Sequence, residues 1–230
     1  MIVYGKQIVM YILQQHPDMI EEIYFSKKID KKQFSQFRKL DKPIILVDNQ
    51  KAQGLAKGGN HQGYILKTSD YQFTPLNEIK KLDKVVILDE ITDVGNIGAI
   101  VRTAYSLGYD GLIIGGINTV NMSGVIRSSS AAALDLPICL YKNTQTVANE
   151  FKQVDFELIG AHMEGTDIKS FACNNTKQAL FLGSEGRGLH QKLQEKLDHK
   201  VSIAMENEFD SLNVSVAAGI LMHHLGQNNA

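Results

Sequence analysis

Apolar residues in this chain fall into short unbroken runs separated by stretches with helical spacing, the pattern of strands buried on both faces alternating with helices. A helical period over about 6–15 leads to the apolar stretch 21–25, then a basic helix near 31–40 and a strand at 43–47. A short helix over about 49–57, a Gly-rich turn at Gly58 and Gly59, and a strand at 64–66 follow. From Lys84 the alternation becomes regular, with runs at 85–88, 111–114, 137–140, 157–160, 179–182 and 201–205, a helix over about 96–107 and a terminal helix from about 212. The expected fold class is α/β: a small α/β domain over 1–70, a polar, turn-rich linker over 71–82, and a parallel sheet covered by helices over 83–230. In such sheets ligands bind beyond the carboxyl ends of the strands.

Composition narrows the function classes. With 230 residues, 43% of them hydrophobic, the chain can bury a real core. No run approaches the ~18 apolar residues of a membrane span, and the N-terminus lacks the features of a cleaved signal, so no membrane partner is expected. Cys139 and Cys173 stand 34 residues apart without a metal-ligand motif. That suits a reduced, cytoplasmic protein with no metal better than a disulfide scaffold. His223 and His224, with no spaced ligand partner, do not change this expectation, and His61 reads as a turn histidine.

The net charge of -1 conceals an asymmetry. Residues 1–82 carry 13 Lys/Arg against 8 Asp/Glu, whereas 83–230 carry 11 against 17. The excess gathers at Lys27, Lys28, Lys31, Lys32, Arg38, Lys39 and Lys42. Such a cluster can follow a phosphate backbone; a solvated helix face is the alternative.

Three strand-to-loop junctions have unusual composition. L-D-E-I-T-D-V-G-N-I-G-A-I-V-R-T-A at 88–104 places Asn96 at the expected helix N-cap and Arg102 about two turns in. F-L-G-S-E-G-R-G-L at 181–189 sets three glycines around Glu185 directly after a buried strand, where glycine permits close backbone approach. Its spacing matches neither the dinucleotide fingerprint nor a phosphate loop. I-A-M-E-N-E-F-D-S-L-N-V-S-V-A-A-G-I at 203–220 runs through an acidic loop to Ser211, a candidate N-cap, and a helix with small residues on its surface.

In order and spacing, N-I-G-A-I-V-R-T-A, L-G-S-E-G-R-G and S-L-N-V-S-V-A-A resemble the three motifs of the SpoU/TrmH branch of the SPOUT RNA methyltransferases, nearest to its 23S ribosomal RNA guanosine 2′-O-methyltransferases. The likeness is strongest over 84–225. It continues into the front segment, where Y-G-K-Q-I-V at 4–9 and H-Q-G at 61–63 look like the family's substrate-binding domain. The resemblance implies a deep trefoil knot, an exception to the usual rule against knots. It also implies methyl transfer from S-adenosyl-L-methionine to a ribose 2′-oxygen of RNA, rRNA processing as the context, and a homodimer formed through the knotted domain.

Carried over position by position, the resemblance makes Arg102, Asn96, Glu185, Ser211 and Asn213 the catalytic set and places Gly183, Ile203 and Leu212, with neighbours Leu182 and Met205, around the cofactor. Lys27, Lys28, Lys31, Lys32, Arg38 and Arg187 become the candidate RNA contacts. Arg102 has two open roles, base or cation; a guanidinium normally keeps its proton and can stabilise a developing oxyanion. The chain departs from the family pattern with Val94 after Asp93 where Pro is common, Ala204 in I-A-M where Pro is common, and Ala132 where Gly is common. None of these removes a reacting group. The alternatives are a transfer-RNA ribose methyltransferase, a non-catalytic RNA-binding protein that kept the fold, and a small-molecule methyltransferase.

Overall fold

A computed structural model describes the chain except residue 174, residues 208–210 and residues 228–230, and does not describe the side chain of Gln227. The first stretch runs β1 (Ile2–Tyr4), α1 (Lys6–Gln15), β2 (Ile20–Phe25), α2 (Lys31–Arg38), β3 (Ile44–Leu46), α3 (Asn49–Leu55) and β4 (Tyr64–Thr68). There follow α4 (Leu76–Ile79), β5 (Lys84–Asp89), α5 (Val94–Ser106), β6 (Gly111–Gly115), α6 (Met122–Ser128), β7 (Ile138–Tyr141) and α7 (Thr144–Lys152). The chain continues with β8 (Glu157–Asp167), β9 (Gln178–Gly183), α8 (Gln191–Gln194), β10 (His199–Ser202) and α9 (Val214–Gln227). Among the described residues no helix is long and apolar enough to cross a membrane.

Two compact units emerge. The first comprises Met1–Gln72 together with Asn121–Ala131. Its sheet has the order β1-β4-β2-β3, with β4 antiparallel to both neighbours and β3 parallel to β2. Phe25 anchors the core, meeting Phe37 and Tyr64 edge-on with ring centroids 5.1 and 5.6 Å apart, a favourable quadrupole arrangement. Helix α6 packs against β1 with Met122, Val125 and Ile126 buried. Sequence reading assigns 121–131 to the second domain, whereas in the structure this segment belongs to the first unit.

The second unit comprises Phe73–Val120 and Ala132–Ala230. Its six strands run parallel in the order β10-β8-β9-β5-β6-β7. Strands β5, β6 and β7 step in one direction, and the next strand in sequence lies on the far side of β5. The order therefore reverses at the β5/β9 pair, where a doubly wound sheet opens a crevice at its carboxyl edge.

The stretch 71–82, expected as a linker, contains α4. Its Ile79 is fully buried, and Leu76 and Leu82 pack on the same core cluster. Spaced by three, these residues form one helical stripe. Strand β10 is shorter than the apolar run 201–205 suggests, stopping at Ser202. Its pairing with β8 jumps from Gly160 opposite Lys200 to Thr166 opposite Val201, so 161–165 bulge out of the ladder.

Candidate active site

At the carboxyl end of β5 the chain enters α5 through Asp93, whose carboxylate accepts the Asn96 backbone N–H at 2.7 Å. Asp93 is thus the N-cap, not Asn96 as the sequence suggests; the helix starts two residues early, and either residue type can cap. This frees the Asn96 side chain. Its Nδ2 donates to Glu185 Oε1 at 3.3 Å, and its Oδ1 accepts from Asn213 Nδ2 at 3.1 Å.

Asn213 completes the triangle by donating to Glu185 Oε1 at 2.6 Å, and the Val214 backbone N–H reaches the same oxygen at 3.4 Å. One carboxylate oxygen therefore gathers three N–H donors at the start of α9, where the helix dipole favours negative charge. The amide oxygen of Asn213 accepts from the Ser215 N–H at 2.9 Å, and its backbone carbonyl accepts from the Ala217 N–H at 3.0 Å. Asn213, rather than Ser211, therefore caps α9. Residues from all three sequence motifs thus meet through side-chain hydrogen bonds.

Beside this triangle opens a cleft of about 650 Å³. All five candidate cofactor residues line it: Leu182, Gly183, Ile203, Met205 and Leu212. Glu185, Arg187 and Ser211 also face it, so Arg187 shares the cleft. A cleft of this size, walled by aliphatic side chains and backbone groups, suits a drug-sized ligand with an apolar ring. Sequence reading missed a further wall: the β8 bulge supplies Ala161, His162 and Met163, and no periodicity in the sequence marks it.

Glycine at 183 is dictated by the loop itself. A Cβ there would stand 2.1 Å from the Gly188 carbonyl carbon, because the loop folds back through a Ser184–Gly188 bridge. Gly188 takes a left-handed φ of 64°, completing the turn. The returning limb is held by Asp89, buried at the end of β5, which accepts from the Thr144 hydroxyl at 2.6 Å and the His190 N–H at 3.2 Å. An acid closing an apolar run, as in L-D-E, was the available signal for this clamp.

Arg102 is exposed on α5, six residues and about 9 Å of helix rise beyond Asn96. Lys28, Lys31, Lys32 and Arg38 are exposed in the first unit. Lys27 is more constrained: its stem lies against Gly63, and its ammonium sits 5.5 Å above the Tyr64 ring. His61 is buried in its turn, where Nδ1 accepts the Gly63 N–H at 3.0 Å. Among the described residues no group of three His, Cys, Asp or Glu could hold a metal ion.

The profile of the SpoU rRNA Methylase family matches residues 83–223, and one described as RNA 2′-O ribose methyltransferase substrate binding matches residues 2–74. A Borreliella burgdorferi protein named "Uncharacterized tRNA/rRNA methyltransferase" is 31% identical over 219 residues, covering 88% of this chain and 96% of its own. The AdoMet-bound rRNA methyltransferase from Sinorhizobium meliloti has the same fold, with a TM-score of 0.81 at 21% identity over 99% of this chain and 87% of that one. The SpoU methyltransferase AviRb from Streptomyces viridochromogenes, in complex with AdoMet, also superposes at 0.81, with 22% identity over 99% and 90% of the two chains. The matched profile spans the parallel sheet, the cleft and the Asn96–Glu185–Asn213 triangle, and together with the near full-length relative it shows that this chain belongs to the SpoU rRNA methylase family.

Proposed function

We propose that the protein is an S-adenosyl-L-methionine-dependent RNA ribose 2′-O-methyltransferase, acting in the cytoplasm on a guanosine of 23S ribosomal RNA. One observation carries the reading: Asn96, Glu185 and Asn213, drawn from three separated motifs, are hydrogen-bonded together at a cleft lined by every candidate cofactor residue.

The cleft residues fit the cofactor by their chemistry. Leu182, Ile203 and Leu212 offer aliphatic surface for an adenine ring, and Gly183 leaves backbone at the wall. When bound, the cofactor supplies a methyl group on a sulfonium, already an activated leaving group, so the chemistry needs no metal. The chain must hold a ribose hydroxyl in line, accept its proton and stabilise the oxyanion.

Glu185, fixed through one oxygen, leaves its carboxylate as the acceptor facing the cleft. Asn96 and Asn213 fix its orientation, and Ser211 adds a hydroxyl at the lining. Arg102 is assigned as a cation that meets the developing oxyanion and the adjoining phosphate. Lys27, Lys28, Lys31, Lys32 and Arg38 of the first unit, with Arg187, are assigned to RNA. Val216 and Ile220, one turn apart on α9, are 51% and 39% exposed despite being apolar, which supports pairing of two copies through this unit.

Methyl transfer from labelled S-adenosyl-L-methionine tests the reading, using large-subunit ribosomal RNA and bulk transfer RNA that lack native ribose methylation. Label is expected in ribosomal RNA as 2′-O-methylguanosine, falling ~10²-fold or more with Arg102→Ala. Label in transfer RNA alone would move the target, and a protein that binds no cofactor would overturn the enzyme reading.

A further inference from the structure

We infer that RNA is gripped at one end of the first unit's sheet, on a surface built around the loop 57–63 and completed by Arg127 of the 121–131 segment. The inference rests on the RNA methyltransferase reading and assigns to it Lys6, Lys57 and Arg127. The ligand is the RNA sugar-phosphate backbone.

The loop is rigidly shaped. Lys57, Gly58, Gln62 and Gly63 all take left-handed φ, at 49°, 78°, 52° and 79°. Gly59 and Gly63 have no room for a Cβ: one abuts the Tyr4 ring and the other the stem of Lys27. Buried His61 pins the turn. Asn60 and Gln62 consequently stand exposed at the crest, and Gln62 Oε1 accepts the Lys6 backbone N–H at 3.1 Å.

Cations surround this crest. The Arg127 guanidinium lies 4.8 Å from the centre of the Tyr4 ring and donates to the Tyr4 hydroxyl, while the residue stays exposed. A guanidinium stacked on an aromatic ring is preorganised for bidentate contact with phosphate. Lys6, Lys27, Lys28 and Lys57 stand exposed beside it at the carboxyl ends of β1 and β2 and on the loop. Lys31 and Lys32 open α2 at the same end. The two acids at this end are committed to helix caps: Asp30 accepts from the Lys32 and Gln33 N–H groups, and Asp48 from that of Lys51.

The opposite end has no such excess of cations: Arg38, Lys39, Lys42, Lys67 and the N-terminal ammonium stand against Asp18, Glu21, Glu22, Asp41 and Asp70, with Lys67 2.6 Å from Glu22. Pro43 pairs with Ile23, so Asp41 and Lys42 lie at the start of β2 beside Glu21 and Glu22. Asp70 and Asp18 are there too, the former bonded to the N-terminus at 3.2 Å. The basic cluster legible in the sequence therefore divides: Lys27, Lys28, Lys31 and Lys32 lie at the binding end, while Arg38 in the last turn of α2 lies with Lys39 and Lys42 toward the other, which leaves Arg38 as the one assigned first-unit cation outside this surface. A surface charged this way orients a polyanion toward the loop.

Filter binding of the full-length protein to a 23S ribosomal RNA transcript, from about 50 to 200 mM KCl, tests this. The paired variant Arg127→Gln/Lys57→Gln should lower the slope of log affinity against log salt by about two, roughly one per cation. Lys39→Gln/Lys42→Gln should leave it nearly unchanged. Arg127→Lys, which keeps the charge but loses the planar fork, should retain the slope and bind more weakly than wild type. Calorimetric titration with S-adenosyl-L-methionine reads the cofactor site separately, so an enzyme reading that fails there leaves this test intact. An unchanged slope in Arg127→Gln/Lys57→Gln, or a larger loss in Lys39→Gln/Lys42→Gln, overturns the inference.

Discussion

Asn213 does two jobs with one amide: its oxygen caps α9, and its nitrogen grips Glu185. Two substitutions separate them. Asn213→Asp keeps an oxygen for the Ser215 N–H but sets a second carboxylate against Glu185, a like-charge contact. It should leave thermal stability close to wild type while methyl transfer falls ~10²-fold or more. Asn213→Ala loses both functions, so transfer should fall alongside ~1 kcal/mol of stability. Thermal melts and single-turnover transfer read the two effects, and equal activity in Asn213→Asp and wild type would remove the residue from the proposed catalytic set. The chemistry of the triangle was legible in residue type and motif, but the capping assignments were not. Asp93 competes with Asn96, and Ser211 with Asn213, within three residues and with similar intrinsic preference, so only the helix register decides.

At the scale of elements, the central strands β5, β6 and β9 were readable because each is an apolar run buried on both faces, whereas the three-residue strand β1 was not. Helix α6 was not, since Gly124 and the serines at 128–130 leave too short an apolar period. The bulge at 161–165 was equally hidden, because a run of sequence does not reveal where a ladder skips. After α6 the backbone turns left-handed at Ser130 and Ala131, with φ of 54° and 75°. Ala131 is fully buried there, an unfavourable conformation for a residue with a Cβ. Ala131→Gly should therefore stabilise the protein by about 0.5–1 kcal/mol, the relief of strain exceeding the entropy glycine adds to the unfolded chain. Urea denaturation measures this, and a lower midpoint in the variant would contradict it.

Across the whole molecule, stability should fall on the alkaline side. Burial pushes the Cys139 thiol up to about 11, and burial with a hydrogen bond to Glu157 pushes Cys173 up to about 12, from an ordinary 9.0. Above pH 9 the unfolded chain releases these protons while the folded chain retains them, so stability declines as pH rises toward 11–12. The urea midpoint should drop between pH 8 and 10.5, and Cys139→Ala with Cys173→Ala should flatten that drop. The native thiols should also resist alkylation at pH 8, being neutral and buried.

The first unit's two-part construction also limits how the gene can be cut. Residues 1–72 do not form a transferable cassette, because the buried face of Met122, Val125 and Ile126, and the guanidinium stacked on Tyr4, arrive from 121–131. A chimera joining this front segment to another member's catalytic half inherits that member's α6 beneath its own β1. Exchange of this unit between family members therefore requires two coordinated replacements, 1–72 ahead of β5 and 121–131 after β6.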